Sequence, residues 1–200
     1  MVTIKEPKIY KVDGAKKNVV MIDCGEKESI AKNIIDRKIN LTRIPANFGA
    51  DKILEYNPDG IIVSNGPGDP KRVNYVIKTV RELMKEKIPV FGICLGHQIL
   101  ALSSGADTYK LKFGHRGSNQ PVKDLITGKC YVTSQNHGFA VNAESAKNAN
   151  LEVTQINLND GSVESLRNKD LKMFSVQYHP EVHPGPYLLR HVFDEFKAML

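Results

Sequence analysis

The stretch Val90-Phe-Gly-Ile-Cys-Leu-Gly96 restricts the possible folds of this chain more than any other. Ile88 to Ile93 reads as a short buried strand, and Leu95 to Ser104 reads as a helix that Gly105 is suited to close. A strand that turns straight into a helix crowds its own backbone two residues either side of the turn, so Gly92-x-Cys94-x-Gly96 fits that place. The turn holds its central side chain at the C-terminal edge of a parallel sheet, where open α/β sheets bind ligands.

The flanking pattern supplies such a sheet. Asn18-Val-Val-Met-Ile-Asp23, Asn40 to Ile44 and Gly60-Ile-Ile-Val-Ser64 read as buried strands. Between them, Lys27 to Arg37 carries a helical stripe of Ile30, Ile34 and Ile35. Val73, Val76, Ile77, Val80, Leu83 and Met84 form a second stripe. The alternation predicts a three-layer α/β fold with a mostly parallel central sheet flanked by helices. After Gly105, Thr108 to Phe113, Cys130 to Ser134, Leu151 to Leu158, Val163 to Leu166 and Met173 to Gln177 are β-like and predict added antiparallel strands. Leu188, Val192, Phe196 and Leu200, with Leu189 and Phe193, predict a closing helix. One domain is expected over 18–200, after an irregular leader or linker at 1–17.

With 41% hydrophobic residues in 200, the chain can bury a core. The net charge is +6, but the lysines are scattered among Glu and Asp, with no dense basic run for nucleic acid. No apolar run is long enough for a membrane span, and Met1 to Lys17 has no signal-peptide core, so a cytoplasmic protein is expected. The three cysteines lack metal spacing, disulfides are not expected, and no motif calls for a cofactor or metal.

Cys94 is therefore the expected nucleophile. At a helix N-terminus its sulfur meets N–H groups and the positive dipole end, which favour an anion, and the Leu95 amide points to where an oxyanion would form. Cys24 and Cys130 lack this setting and are expected to be packing residues. A thiol nucleophile needs a base and a group to orient it. His97, His115, His137, His179, His183 and His191 are the candidates. His97 lies one turn past Cys94, and His191 is on the last helix. His179 follows an apolar strand, and an extended His179-Pro-Glu181 would put base and carboxylate on one side of the backbone. A surface His beside a solvated Glu has the same spacing. Asn65-Gly-Pro-Gly-Asp-Pro70 allows close backbone approach to a ligand, and it is also a good plain turn. Thr133-Ser-Gln-Asn-His-Gly-Phe139 suits a polar ligand and equally a hairpin loop.

Phe91-Gly-Ile-Cys-Leu-Gly-His-Gln98 with Tyr178-His-Pro-Glu181 resembles the class I (triad) glutamine amidotransferases, of flavodoxin-like fold. Ser64-Asn-Gly-Pro-Gly-Asp-Pro70, Arg116-Gly-Ser-Asn-Gln-Pro121, Ser134-Gln-Asn-His-Gly-Phe139 and Pro184-Gly-Pro186 resemble, more narrowly, the glutaminase domain of the carbamoyl phosphate synthetase small subunit. The resemblance runs from about Lys17 to the C-terminus. It implies Cys94 as nucleophile, His179 as base and then acid, and Glu181 as orienter. It implies that Gly66, Gly68, Leu95, Gln98, Asn136, Gly138 and Phe139 hold L-glutamine, with the amides of Gly68 and Leu95 as oxyanion hole. It also implies ammonia delivery to an ATP-dependent large subunit that makes carbamoyl phosphate for pyrimidine and arginine biosynthesis.

Two positions depart from the family pattern. Ser29 stands where Asn is frequent, and His115 stands where Asn usually precedes Arg-Gly. The family's N-terminal small-subunit domain is not in the sequence, and Met1 to Lys17 resembles the linker after it. An excised or stand-alone domain is expected, with weakened activity by itself. Competing readings are the amidotransferase of another synthase, such as anthranilate or GMP synthesis, a different cysteine hydrolase on a similar sheet, and a non-catalytic regulatory module.

Overall fold

The computed structural model describes residues 2–182 and 187–200. Pro184-Gly-Pro186, the candidate His183 and the side chain of Leu188 lie outside the described residues. Ten strands form one sheet, in the order β1-β3-β2-β4-β5-β10-β9-β8-β6-β7. Its centre is parallel: β3 (Asn40–Pro45), β2 (Asn18–Asp23), β4 (Gly60–Val63), β5 (Val90–Ile93) and β10 (Met173–Val176). The other five strands pair antiparallel: β1 (Lys8–Tyr10), β6 (Thr108–Asp124), β7 (Cys130–Val141), β8 (Glu152–Asn157) and β9 (Val163–Asn168). The sheet is thus mixed, with a parallel half that carries the crossovers and an antiparallel wing.

Alternating residues of each central strand feed two cores, as the period of two requires. Val20 and Ile22 pack with α2 (Ala50–Leu54), α3 (Asn74–Leu83), α4 (Leu95–Ser103) and α5 (Ala143–Asn148). Val19 and Met21 pack on the opposite face with α1 (Glu28–Asp36) and α6 (His191–Met199). This is the three-layer arrangement. The second core is knitted by Phe91, which stacks on Phe174 at 4.5 Å and meets Phe193 and Phe196 at 5.8 and 5.7 Å. That cluster ties β5, β10 and α6 together beneath the Cys94 turn. No helix among the described residues is long and apolar enough to cross a membrane.

Three features differ from the expectation. The leader expected to be irregular contains β1, paired to the β3 edge with Ile9 opposite Thr42. The helices α2 and α5 span five and six residues, too few to leave a legible helical period. Finally, β6 and β7 are far longer than the apolar runs suggested. The polar stretches 116–121 and 134–139 lie inside their ladder, with register shifts between Lys110 and His115 and between Gly117 and Gln120. Gly114 and Gly117, at φ +71° and +131°, accommodate these irregularities.

Candidate active site

Strand register brings the sequence-distant catalytic candidates together. β5 and β10 are parallel neighbours with Ile93 beside Val176, so Cys94 and the segment carrying His179 leave the sheet at one edge. The Cys94 N–H donates to the Val176 carbonyl at 2.9 Å. Cys94 sits at φ 54°, ψ −101°, a conformation costing a non-glycine residue about 1–3 kcal/mol. Its flanking glycines are sterically required. A Cβ on Gly96 would stand 2.0 Å from the Val63 carbonyl oxygen, and one on Gly92 would stand 2.7 Å from Gly96. Helix α4 begins at Leu95, so the Leu95 amide is an unpaired first-turn donor beside the sulfur.

His179 is buried, and its Nδ1 lies 2.8 Å from Glu181 Oε1, so this nitrogen donates to the carboxylate. Cys94 lies close enough to act on the charge of its ring. Burial opposes a charge on this imidazole. The neighbouring Cys94 and Glu181 outweigh burial, and the pKa is pushed up to about 9. Residues 177–182 are bends and turn rather than the extended segment expected, so the turn at Pro180 brings Glu181 round to His179. The His179 N–H donates to Ser134 O at 2.9 Å, anchoring the turn to β7, and Lys27 Nζ stands 4.0 Å from Glu181 Oε1.

Cys94 opens on a cleft of about 770 Å³. Gly66, Gly68, Leu95, Gln98, Asn136, Gly138 and Phe139 all line it. Gly66 fits because a Cβ there would meet the Cys24 carbonyl oxygen at 2.2 Å, and Gly68 takes φ +99°. Gln98 Nε2 donates to Phe139 O and to Gln177 Oε1, both at 2.8 Å, which locks the helix to the far wall of the cleft. Gln177 was not singled out from sequence, nor were Arg72 and Lys110, which line the same cleft; Arg116, also in the lining, was noted only as part of the Arg116–Pro121 segment. Their signal was weak, because single polar residues on polar strands look like solvated faces.

The remaining cysteines and histidines fall elsewhere. Cys24 is a packing residue whose thiol burial pushes up to about 12. Cys130 is exposed, contrary to the packing role expected, because it opens β7 at the edge of the sheet. His97 is fully buried and bonded to Ser175 Oγ at 2.9 Å, and burial pushes its pKa down to about 3. His191 lies on α6.

His115 and His137 face each other across β6 and β7, and with Glu164 they bring ligand-type atoms within 4.8 Å of one another. The ring nitrogens, however, already have partners. His137 lies 2.8 Å from Phe139 O and 2.9 Å from Gln135 Oε1. His115 lies 2.9 Å from Gln135 Oε1 and 2.9 Å from Asp160 Oδ2. The group is a buried polar brace linking β6, β7 and β9, and His137 also lines the cleft. His115 is pushed up to about 9, chiefly by the Glu164 carboxylate 3.6 Å from its Nδ1, while burial pushes His137 down to about 4.

The family model of class-I glutamine amidotransferase matches residues 20–199. A carbamoyl phosphate synthase small chain from Methanocaldococcus jannaschii is 53% identical over 195 residues, covering 98% of this chain and 54% of that protein. Small chains from Staphylococcus epidermidis and Archaeoglobus fulgidus are each 52% identical over 199 residues, covering all of this chain and 54% and 55% of theirs. The chain thus spans about half the length of the curated relatives it matches. In fold it is similar to a crystal structure from Thermoplasma acidophilum, provisionally named as one subunit of GMP synthase. The TM-score is 0.78 at 20% identity, with coverage of 92% of this chain and 93% of that one.

Proposed function

The chain belongs to the class I glutamine amidotransferase family, and we propose that it hydrolyses L-glutamine to glutamate and ammonia at Cys94. The observation that carries this reading is the convergence on the cleft of Cys94 and, beside it, of His179 held by Glu181 at 2.8 Å. His179 takes the Cys94 thiol proton as the sulfur attacks the side-chain amide carbon of glutamine, and the carbonyl oxygen takes the negative charge. The Leu95 and Gly68 amides receive that oxyanion. The His179 imidazolium gives its proton to the departing nitrogen, which leaves as ammonia, and a γ-glutamyl thioester remains on Cys94. The now neutral His179 takes a proton from water, which attacks the thioester carbon. Glutamate leaves and the thiol proton returns. Glu181 fixes the ring and stabilises its charge throughout. No metal or cofactor enters this scheme.

The similarity to small chains supports delivery of the ammonia to a carbamoyl phosphate synthetase large subunit, with the small-subunit N-terminal domain completing the glutamine pocket. Glutamate release should vanish in Cys94→Ala, and the wild-type rate should rise when a small-subunit N-terminal domain is added together with the large subunit. Equal glutamate release by wild type and Cys94→Ala would end this reading.

A further inference from the structure

We propose that His115, His137 and Glu164 form a binding site for one borderline divalent cation such as zinc, which ties β6, β7 and β9 together. The three side chains are buried, and their ligand-type atoms lie within 4.8 Å of one another. They come from three different strands. Far apart in sequence, they follow no metal-binding spacing, and only the fold brings them together. None of the three has a part in the glutamine chemistry at Cys94.

The hydrogen bonds of the cluster do not close on protons alone. All four ring nitrogens point, at 2.8 or 2.9 Å, to an oxygen that can only accept. His115 faces Gln135 Oε1 and Asp160 Oδ2, and His137 faces Gln135 Oε1 and the Phe139 carbonyl. The Gln135 amide is oriented from outside the cluster. The Thr133 hydroxyl gives its proton to the Gln120 carbonyl, so it accepts from Gln135 Nε2 and leaves Oε1 toward both rings. Satisfying all four contacts takes two imidazoliums with ring centroids 4.9 Å apart. Burial, and the charge of His115, oppose the second one and push His137 down to about 4. With its proton on Nδ1 for the Phe139 carbonyl, His137 turns a bare Nε2 lone pair to Gln135 Oε1. Glu164 is fully buried, and its Oε2 has no hydrogen bond among the described residues.

A cation supplies what these acceptors lack. His115 Nδ1, His137 Nε2, a Glu164 oxygen and Gln135 Oε1 make up a set of two nitrogens and two oxygens. His115 Nδ1 stands 3.6 Å from Glu164 Oε1. Ligands around a tetrahedral zinc sit ~3.3 Å apart. The outward-facing atoms are held as those of metal ligands are. His115 Nε2 meets a carboxylate, His137 Nδ1 meets a backbone carbonyl, and Glu164 Oε1 accepts from Asn157 Nδ2 at 3.2 Å. Two imidazoles select zinc over magnesium or calcium, which take oxygen ligands. The ion displaces the Nδ1 proton of His115, so a charged His115 belongs to the protein without zinc.

The test titrates zinc chloride into the chelator-treated full chain by calorimetry and follows thermal unfolding. One zinc per chain and a raised unfolding midpoint are expected. Cys94→Ala should bind zinc as wild type does, which separates this site from the Cys94–His179 pair. Glu164→Gln and His137→Gln should each weaken binding at least ~100-fold, and Asp160→Asn, which alters only an outer partner, roughly 10- to 100-fold. Cobalt in place of zinc tests the ligands without any substitution: the wild-type complex should show visible bands of tetrahedral coordination and no near-ultraviolet thiolate band. A thiolate band, loss of zinc in Cys94→Ala, undiminished binding in folded Glu164→Gln and His137→Gln, or no zinc bound at about 100 μM would overturn the site.

Discussion

At the scale of single residues, the site depends on opposing terms at His179. Burial disfavours its charge, while Cys94 and Glu181 favour it strongly enough to push the pKa up to about 9. The two partners are separable by substitution. An NMR titration of the His179 ring should give a value near 9 in wild type and a clearly lower one in Glu181→Gln and in Cys94→Ala, since burial then dominates. A value that stays near 9 in both variants would show that neither partner holds the charge. Sequence alone made Cys94, His179 and Glu181 candidates, because the type and order of residues around a strand-to-helix turn carry a steric message. It could not show Arg116 as a cleft residue, because its position depends on cross-strand pairing with Asn136, twenty residues away.

At the scale of elements, the β5–α4 turn is the part whose geometry leaves least freedom. Helix α4 is buried along almost its whole length, so it cannot shift outward to admit a side chain at its start. Gly96→Ala would drive a Cβ to 2.0 Å from the Val63 carbonyl oxygen of β4. Backbone must then move, either at the turn or in β4. We expect activity to fall at least ~100-fold and unfolding free energy to drop by about 2–4 kcal/mol in urea titrations. Near-normal activity in Gly96→Ala would mean that the turn is looser than its contacts imply. The central strands were legible because fully buried parallel strands are continuous apolar runs. Strands β6 and β7 were only partly legible. Their polar middle is held by backbone pairing and by a buried network of His115, His137 and Gln135, which leaves no apolar alternation to read.

At the scale of the whole molecule, two buried histidines gain charge on folding, which gives stability a definite pH dependence. His115 and His179 both rise from 6.5 to about 9. A group with a raised folded pKa contributes fully below its unfolded value and loses that contribution as pH rises through the folded one. Stability should therefore fall between about pH 6.5 and 9 as the folded state gives up protons that the unfolded state has already lost. His115 is separate from the catalytic groups, so His115→Gln should remove about half of this alkaline slope while leaving the part due to His179. Denaturant unfolding at several pH values from 6.5 to 9 measures both slopes, and identical slopes in the two proteins would contradict the assignment.

The sequence by itself determined the parallel α/β core and the Cys94 turn, and it made His179 and Glu181 the candidates for base and orienter. Each of these is written in local terms: apolar runs, helical spacing, and glycines where a Cβ has no room. Only the tertiary structure decided the reach of the β6–β7 hairpin, the buried histidine brace behind it, and the cations placed around the cleft. Those features rest on register between strands distant in sequence. Backbone hydrogen bonds set that register almost independently of side-chain type, so it leaves little trace in the order of residues.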